Sequence, residues 1–256
     1  MNFYFKNKRI HYRISGQGPA VIFLHGFLES LELWDPVIPL FSETHTVITM
    51  DFPGLGKSEV LSNVHGMELM AETVQALLDE LKISEAIFVG HSMGGYITLA
   101  FAELFQEKTT KIILLNSTSK ADSEERIHIR NRSIRLMEEH PKAFISMAIS
   151  NWAVESSREK FAKEIDALKQ RALTFPEEGI IAAIKGMRDR KDRTEVLKNY
   201  PKPKYLLLAE NDPIIPCEAT KVVADQAGVV VKTISGGHMS LIENFEKTVD
   251  FLKEVI

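Results

Sequence analysis

The chain has 256 residues and one cysteine, Cys217. A lone cysteine forms no internal disulfide and brings no metal-ligand cluster with it, and it fits a reducing compartment. An excess of charge of one sign is also missing. Lys and Arg number 31 against 35 Asp and Glu, for a net charge of −4, and the two signs are interspersed, which argues against a polyanion-binding surface. The densest basic run, Arg188-Asp189-Arg190-Lys191-Asp192-Arg193, is broken by two aspartates and reads as a solvated helix end. No apolar run approaches the ~18–20 residues of a membrane span. Residues 1–9 lack the apolar stretch of a signal peptide. The eight histidines are scattered without H-x-x-x-H or H-x-x-E-H spacing, so no metal site is expected. The expectation is a soluble cytoplasmic protein, monomer or homodimer, that meets a small-molecule substrate and neither nucleic acid nor membrane. No cofactor is expected.

What is present is an alternation of two kinds of segment. Short apolar runs at 21–24, 46–50, 86–89, 111–115, 205–209 and 229–234 suit strands buried on both faces. Residues 2–6 and 9–14 read as an antiparallel pair turned at Asn7-Lys8. Between the later runs lie helical patterns at 66–82, 93–107 and 240–255, the first with Leu69, Met70, Thr73, Val74, Leu77, Leu78 and Leu81 near a period of 3.6. Strands alternating with helices predict an α/β fold with a mainly parallel sheet covered on both faces. One region breaks the alternation. Residues 120–198 contain no strand pattern but several helical ones, near 121–139, 142–152, 157–173 and 177–188, with boundaries at Pro141 and Pro176. The expected division is a core of residues 1–119 and 199–256 with a helical cap of 120–198 inserted over the sheet edge.

The strongest chemical signal is Gly90-His91-Ser92-Met93-Gly94-Gly95, between the apolar run 86–89 and a helical pattern. A G-x-S-x-G string in a strand–turn–helix context lifts a serine clear of a sheet on a sharp turn. The small residues on either side let strand and helix approach closely. The helix start behind the serine sets N–H groups near developing negative charge. Ser92 is therefore the candidate nucleophile.

A serine hydroxyl needs a base and a group that orients the base. His238, in Gly236-Gly237-His238-Met239, follows the last apolar strand and is the candidate base. Asp212, in Glu210-Asn211-Asp212-Pro213, leaves the end of a strand, where open α/β sheets build their sites, and is the favoured acid. Glu210, two residues away, is the rival carboxylate. Oxyanion donors are expected from the backbone N–H of Met93 and from that of Phe27, in the loop His25-Gly26-Phe27-Leu28. His25 and His91 read as structural histidines. Asp51-Phe52-Pro53-Gly54-Leu55-Gly56-Lys57-Ser58 matches neither phosphate-loop pattern and reads as a tight turn, with Asp51 bonding loop backbone. Trp34, Trp152 and Met239 are candidate substrate-pocket residues.

These strings, in this order and spanning nearly the whole chain, resemble the α/β-hydrolase superfamily. The resemblance implies an eight-stranded, mostly parallel sheet with a helical cap. It also implies Ser92, Asp212 and His238 as a triad, with the Phe27 and Met93 N–H groups as oxyanion hole. Related haloalkane dehalogenases and epoxide hydrolases carry Asp at the nucleophile position, so Ser92 argues against both activities. The leading expectation is a serine hydrolase of small carboxylic esters. Thioesterase, lactonase, carbon–carbon bond hydrolase, perhydrolase and lyase activities use the same constellation, and some proteins of this fold are slow-turnover sensors of small molecules.

Overall fold

The structure, a computed structural model, describes residues 1–256. Eight strands, β1 (Asn2–Phe5), β2 (Lys8–Ser15), β3 (Ala20–Leu24), β4 (Thr46–Met50), β5 (Ala86–His91), β6 (Thr109–Leu115), β7 (Lys204–Ala209) and β8 (Val230–Ile234), form one sheet in the order β1-β2-β4-β3-β5-β6-β7-β8. Pairings β1–β2 and β2–β4 are antiparallel and all others are parallel.

Side chains alternate across a strand, and here that alternation divides the core. Val21 and Phe23 of β3, Ile87 and Val89 of β5 and Ile113 and Leu115 of β6 face one apolar cluster. Helices α1 (Ile38–Phe41) and α12 (Phe245–Val255) close it with Phe41, Phe251 and Leu252. Ile22, Leu24 and Phe88 face the other side, under α2 (Met67–Glu80) and α3 (Met93–Leu104). Ile112, Leu114, Leu206 and Leu208 extend that side under α10 (Cys217–Gln226). The central runs are apolar throughout because both faces are covered.

Between β6 and β7 the chain forms only helices. These are α4 (Glu124–Glu139), α5 (Pro141–Ser150), α6 (Glu155–Lys160), α7 (Ala162–Ala172), α8 (Glu177–Arg188) and α9 (Thr194–Asn199). Ser123 caps α4 by accepting from the Arg126 N–H, and Pro141 opens α5 at a first-turn position that tolerates it. Helices α4 to α8 pack on one another. The insertion docks on the core where the His65 N–H donates to the Ala182 carbonyl at 3.0 Å.

Helix α9 crosses the expected boundary at 198, and its Leu197 belongs to the same apolar cluster as Leu99, Ile112 and Leu206 of the core. Two sequence expectations change. The expected helix 157–173 is two, broken at Phe161 (φ −110°, ψ 27°). The expected helix 240–255 is also two, α11 (Ser240–Glu243) and α12, broken at Asn244. The Asn244 amide donates to the Ser235 carbonyl at 2.9 Å, and its backbone is drawn out of the helix.

Candidate active site

Strand β5 lies between β3 and β6, with Leu24 level with Gly90 and His91 level with Leu115. Ser92 therefore leaves the sheet between the loop after β3 and the loop after β6. Its backbone has φ 51° and ψ −114°, a conformation an L-residue holds only when its surroundings enforce it. They do: the Ser92 N–H donates to the Leu115 carbonyl at 2.9 Å, and the Ser92 carbonyl accepts from the Gly95 N–H at 2.9 Å and the Ser117 hydroxyl at 2.8 Å. The flanking glycines are required by contact. A Cβ on Gly90 would stand 2.4 Å from the Gly94 carbonyl oxygen, and one on Gly94 2.2 Å from that of Leu24. Leu28 and Asn116, in the neighbouring loops, also have positive φ.

Asp212 follows β7 and His238 follows β8, so both come from adjacent carboxyl ends of the sheet. His238 Nε2 lies 2.8 Å from Ser92 Oγ, and His238 Nδ1 lies 2.8 Å from Asp212 Oδ2. An ionised carboxylate only accepts, so Nδ1–H donates to Asp212 and Nε2 offers its lone pair to the serine hydroxyl. Asp212 Oδ1 accepts from the N–H groups of Ile214 at 2.8 Å and Ile215 at 2.9 Å. Oδ2 accepts a further bond from the Asn116 amide at 3.0 Å. Burial by itself would raise the Asp212 carboxyl; the adjacent His238 and the two backbone donors outweigh it and hold the group below its ordinary value. Glu210 is exposed, and its backbone N–H continues the pairing with β8. The structure brings Asp212, not Glu210, to His238.

Phe27 sits in the loop after β3, and its N–H donates to no group of the protein. Met93 is the first residue of α3, so its N–H has no partner within the helix. Phe27, Met93, Trp152 and Met239 belong to one apolar cluster, which continues into the insertion through Ile134, Phe144 and Leu168. The Trp152 ring stands edge-on to the His238 ring with centroids 6.2 Å apart. Trp34 is not brought there. It is fully buried against Phe23 at 5.0 Å in the cluster on the opposite face of the sheet, because its short 3-10 turn at Leu31–Trp34 rolls the indole under the strands.

His25 Nε2 accepts from the Phe52 N–H at 3.0 Å, so its Nδ1–H donates to the Gly26 carbonyl at 2.8 Å. Burial holds this imidazole below its ordinary value, and it braces the Phe27 loop as a neutral ring. Asp51 accepts from the backbone N–H groups of Leu31 and Lys57 at 2.8 and 2.9 Å. Several residues near the site escaped sequence reasoning. Asn116 and Ser117 brace the acid and the serine, and Glu243 accepts from Gly237 N–H at 3.0 Å and, across to the insertion, from Val154 N–H at 3.1 Å. His238 N–H donates to the Trp152 carbonyl at 3.0 Å beside them. No helix is long and apolar enough to cross a membrane, and no group of three or more His, Cys, Asp or Glu residues is arranged to hold a metal ion.

The geometry has relatives. A hydrolase of uncharacterized activity from Bacillus subtilis, YugF, is 28% identical over 216 residues, covering 82% of this chain and 79% of its own. The solved structure of a thermophilic esterase from Thermogutta terrifontis, with malate bound, superposes with a TM-score of 0.89 at 28% identity, covering 96% of this chain and 92% of that one. An enol-lactonase from Burkholderia xenovorans LB400 shares the fold with a TM-score of 0.92, at 20% identity, over 100% of this chain and 99% of that one. The family profile described as the alpha/beta hydrolase fold matches residues 19–245, and the chain belongs to that family.

Proposed function

We propose that the chain is a serine hydrolase that cleaves small carboxylic esters through an acyl-enzyme. The observation that carries the reading is the unbroken relay Ser92 Oγ–His238 Nε2 and His238 Nδ1–Asp212 Oδ2, 2.8 Å at each step, on a strained turn. In acylation His238 Nε2 takes the hydroxyl proton as Ser92 Oγ bonds to the carbonyl carbon. The carbonyl π electrons move to oxygen, and the N–H groups of Phe27 and Met93 hold that oxyanion. Asp212 stabilises the imidazolium. The intermediate collapses, the ester C–O bond breaks, and the leaving alkoxide takes the proton from His238. Water then repeats the sequence on the acyl-enzyme and releases the acid.

The apolar surround of Phe27, Met93, Trp152 and Met239 supports an uncharged acyl group. The nearby cations are committed to the fold. Arg190 pairs with Asp122 at 2.6 Å, and Arg126 donates to the Ile214 carbonyl at 2.8 Å, which disfavours an anionic substrate. The 28% identity to the Thermogutta terrifontis esterase, against 20% to the enol-lactonase, supports the ester reading over a lactone. A panel of p-nitrophenyl esters tests it. Turnover abolished by Ser92→Ala, with a fluorophosphonate adduct on Ser92 by mass spectrometry, is expected. Binding without turnover, unchanged by Ser92→Ala, would instead mark a sensor, and an unlabelled Ser92 would remove the nucleophile assignment.

A further inference from the structure

Behind the triad lies a second histidine–carboxylate pair. Glu29 and His91 are both buried, at 1% and 2% exposure. Glu29 Oε2 lies 2.9 Å from His91 Nδ1 and accepts the Gly26 N–H at 2.5 Å. His91 Nε2 lies 3.0 Å from the carbonyl oxygen of His238. The pair fills the space a side chain at Gly26 would need, since a Cβ there would stand 2.7 Å from Glu29 Oε2 and 3.1 Å from His91 Nδ1.

The chemistry of these contacts fixes the protons. A carbonyl oxygen only accepts, so Nε2 carries hydrogen. Nδ1 faces a carboxylate, so a second proton lies on the line between Nδ1 and Oε2. Burial opposes charge on both groups. Their mutual attraction and hydrogen bond outweigh it, leaving His91 above its ordinary value and Glu29 below. The pair is a buried imidazolium–carboxylate with no net charge.

We propose that Glu29 and His91 are positioning residues that tie the oxyanion loop to the histidine loop. Gly26, one residue before the Phe27 donor, hangs from Glu29; the backbone of His238 hangs from His91; and His91 itself precedes Ser92 in the chain. Donors, nucleophile and base thus share one rigid strut. This rests on the serine-hydrolase reading above.

Glu29→Gln tests it, because one amide cannot replace Oε2. With its oxygen there, Gln meets the lone pair of an uncharged His91 Nδ1. With its nitrogen there, it opposes the Gly26 N–H. The readout is kcat per active site, counted by complete fluorophosphonate labelling, so that misfolded protein does not enter. A strut that aligns reacting groups predicts kcat per site lowered about tenfold or more, with KM within about threefold. His91→Asn, which keeps a donor for Glu29, and His91→Gln, which keeps one for the His238 carbonyl, each cut half the tie and are expected to fall likewise. Values of kcat per site within about twofold of wild type would overturn the proposal. If Glu29→Gln does not fold, the two His91 variants decide by the same criterion. Ser92→Ala separates the two claims: a fully active Ser92→Ala defeats the serine reading, whereas an inactive one leaves the Glu29 and His91 results to judge the strut alone.

Discussion

Asn116 donates its side-chain amide to Asp212 Oδ2 at 3.0 Å, on the same oxygen that receives the His238 proton donor. The carboxylate is thereby held from β6 as well as from its own loop. Removing a buried donor to a charged group leaves that charge under-satisfied. Asn116→Ala is expected to lower kcat/KM about tenfold. Asn116→Asp should fall at least as far, because two adjacent carboxylates cannot both ionise. Steady-state ester hydrolysis measures both.

Asp212→Asn should lower kcat by ~10⁴-fold, because an amide in its place stabilises the wrong imidazole tautomer. Glu210→Gln is expected to stay within about threefold of wild type. The reverse pattern would reassign the acid.

His65 gives the protein a pH-dependent stability. It is fully buried and accepts from the N–H groups of Leu61 at 3.2 Å and Ser62 at 3.3 Å through Nε2. Burial lowers its pKa to about 4. The unfolded chain, with an ordinary value near 6.5, binds the proton first as pH falls, so stability declines between about 6.5 and about 4. The decline amounts to about 3 kcal/mol in full. Urea unfolding across this range should show that slope in the wild type, and His65→Gln should flatten it.

Glu243 joins the His238 loop to the segment 152–154, accepting from Gly237 on one side and Val154 on the other. Glu243→Ala leaves those part-buried donors without their partner and is expected to destabilise the fold by about 1–3 kcal/mol. Limited proteolysis should cut faster between residues 151 and 161 while the sheet stays protected.

Ser92 sits at φ 51°, where a glycine carries no strain. Ser92→Gly and Ser92→Ala are both expected to be inactive, yet the glycine variant should melt about 2–4 °C higher than the alanine variant. Calorimetry of the pair would measure what the turn costs the folded state.

The strands were readable because β3, β5, β6 and β7 are covered on both faces and so carry unbroken apolar runs. Ser92, Asp212 and His238 stand out because each follows such a run at a turn. Asn116 does not: as the first residue of the polar run Asn116-Ser117-Thr118-Ser119 after Ile112–Leu115 it looks like any strand end, and only the sheet order reveals that Asp212 lies beside it. Trp34 misleads for a related reason, since an aromatic in a loop can roll to either face and its sequence neighbours do not say which. The helix breaks at Phe161 and Asn244 are hidden because apolar residues recur across them; a tertiary contact, Asn244 to Ser235, marks the second. Glu29 carries no signal in the sequence, and only the fold brings His91 to it.

Ser92 and His238 are 146 residues apart in the chain, and their hydrogen bond closes over β6, the whole insertion, β7 and β8. Chemical competence is thus a property of the finished molecule. A growing chain on the ribosome can hold the strained serine turn only once β5, α3, β6 and Ser117 have emerged, and it holds no base until β8 has paired. During refolding, the return of the proposed ester cleavage should coincide with the last long-range closure of the sheet and not with early helix formation.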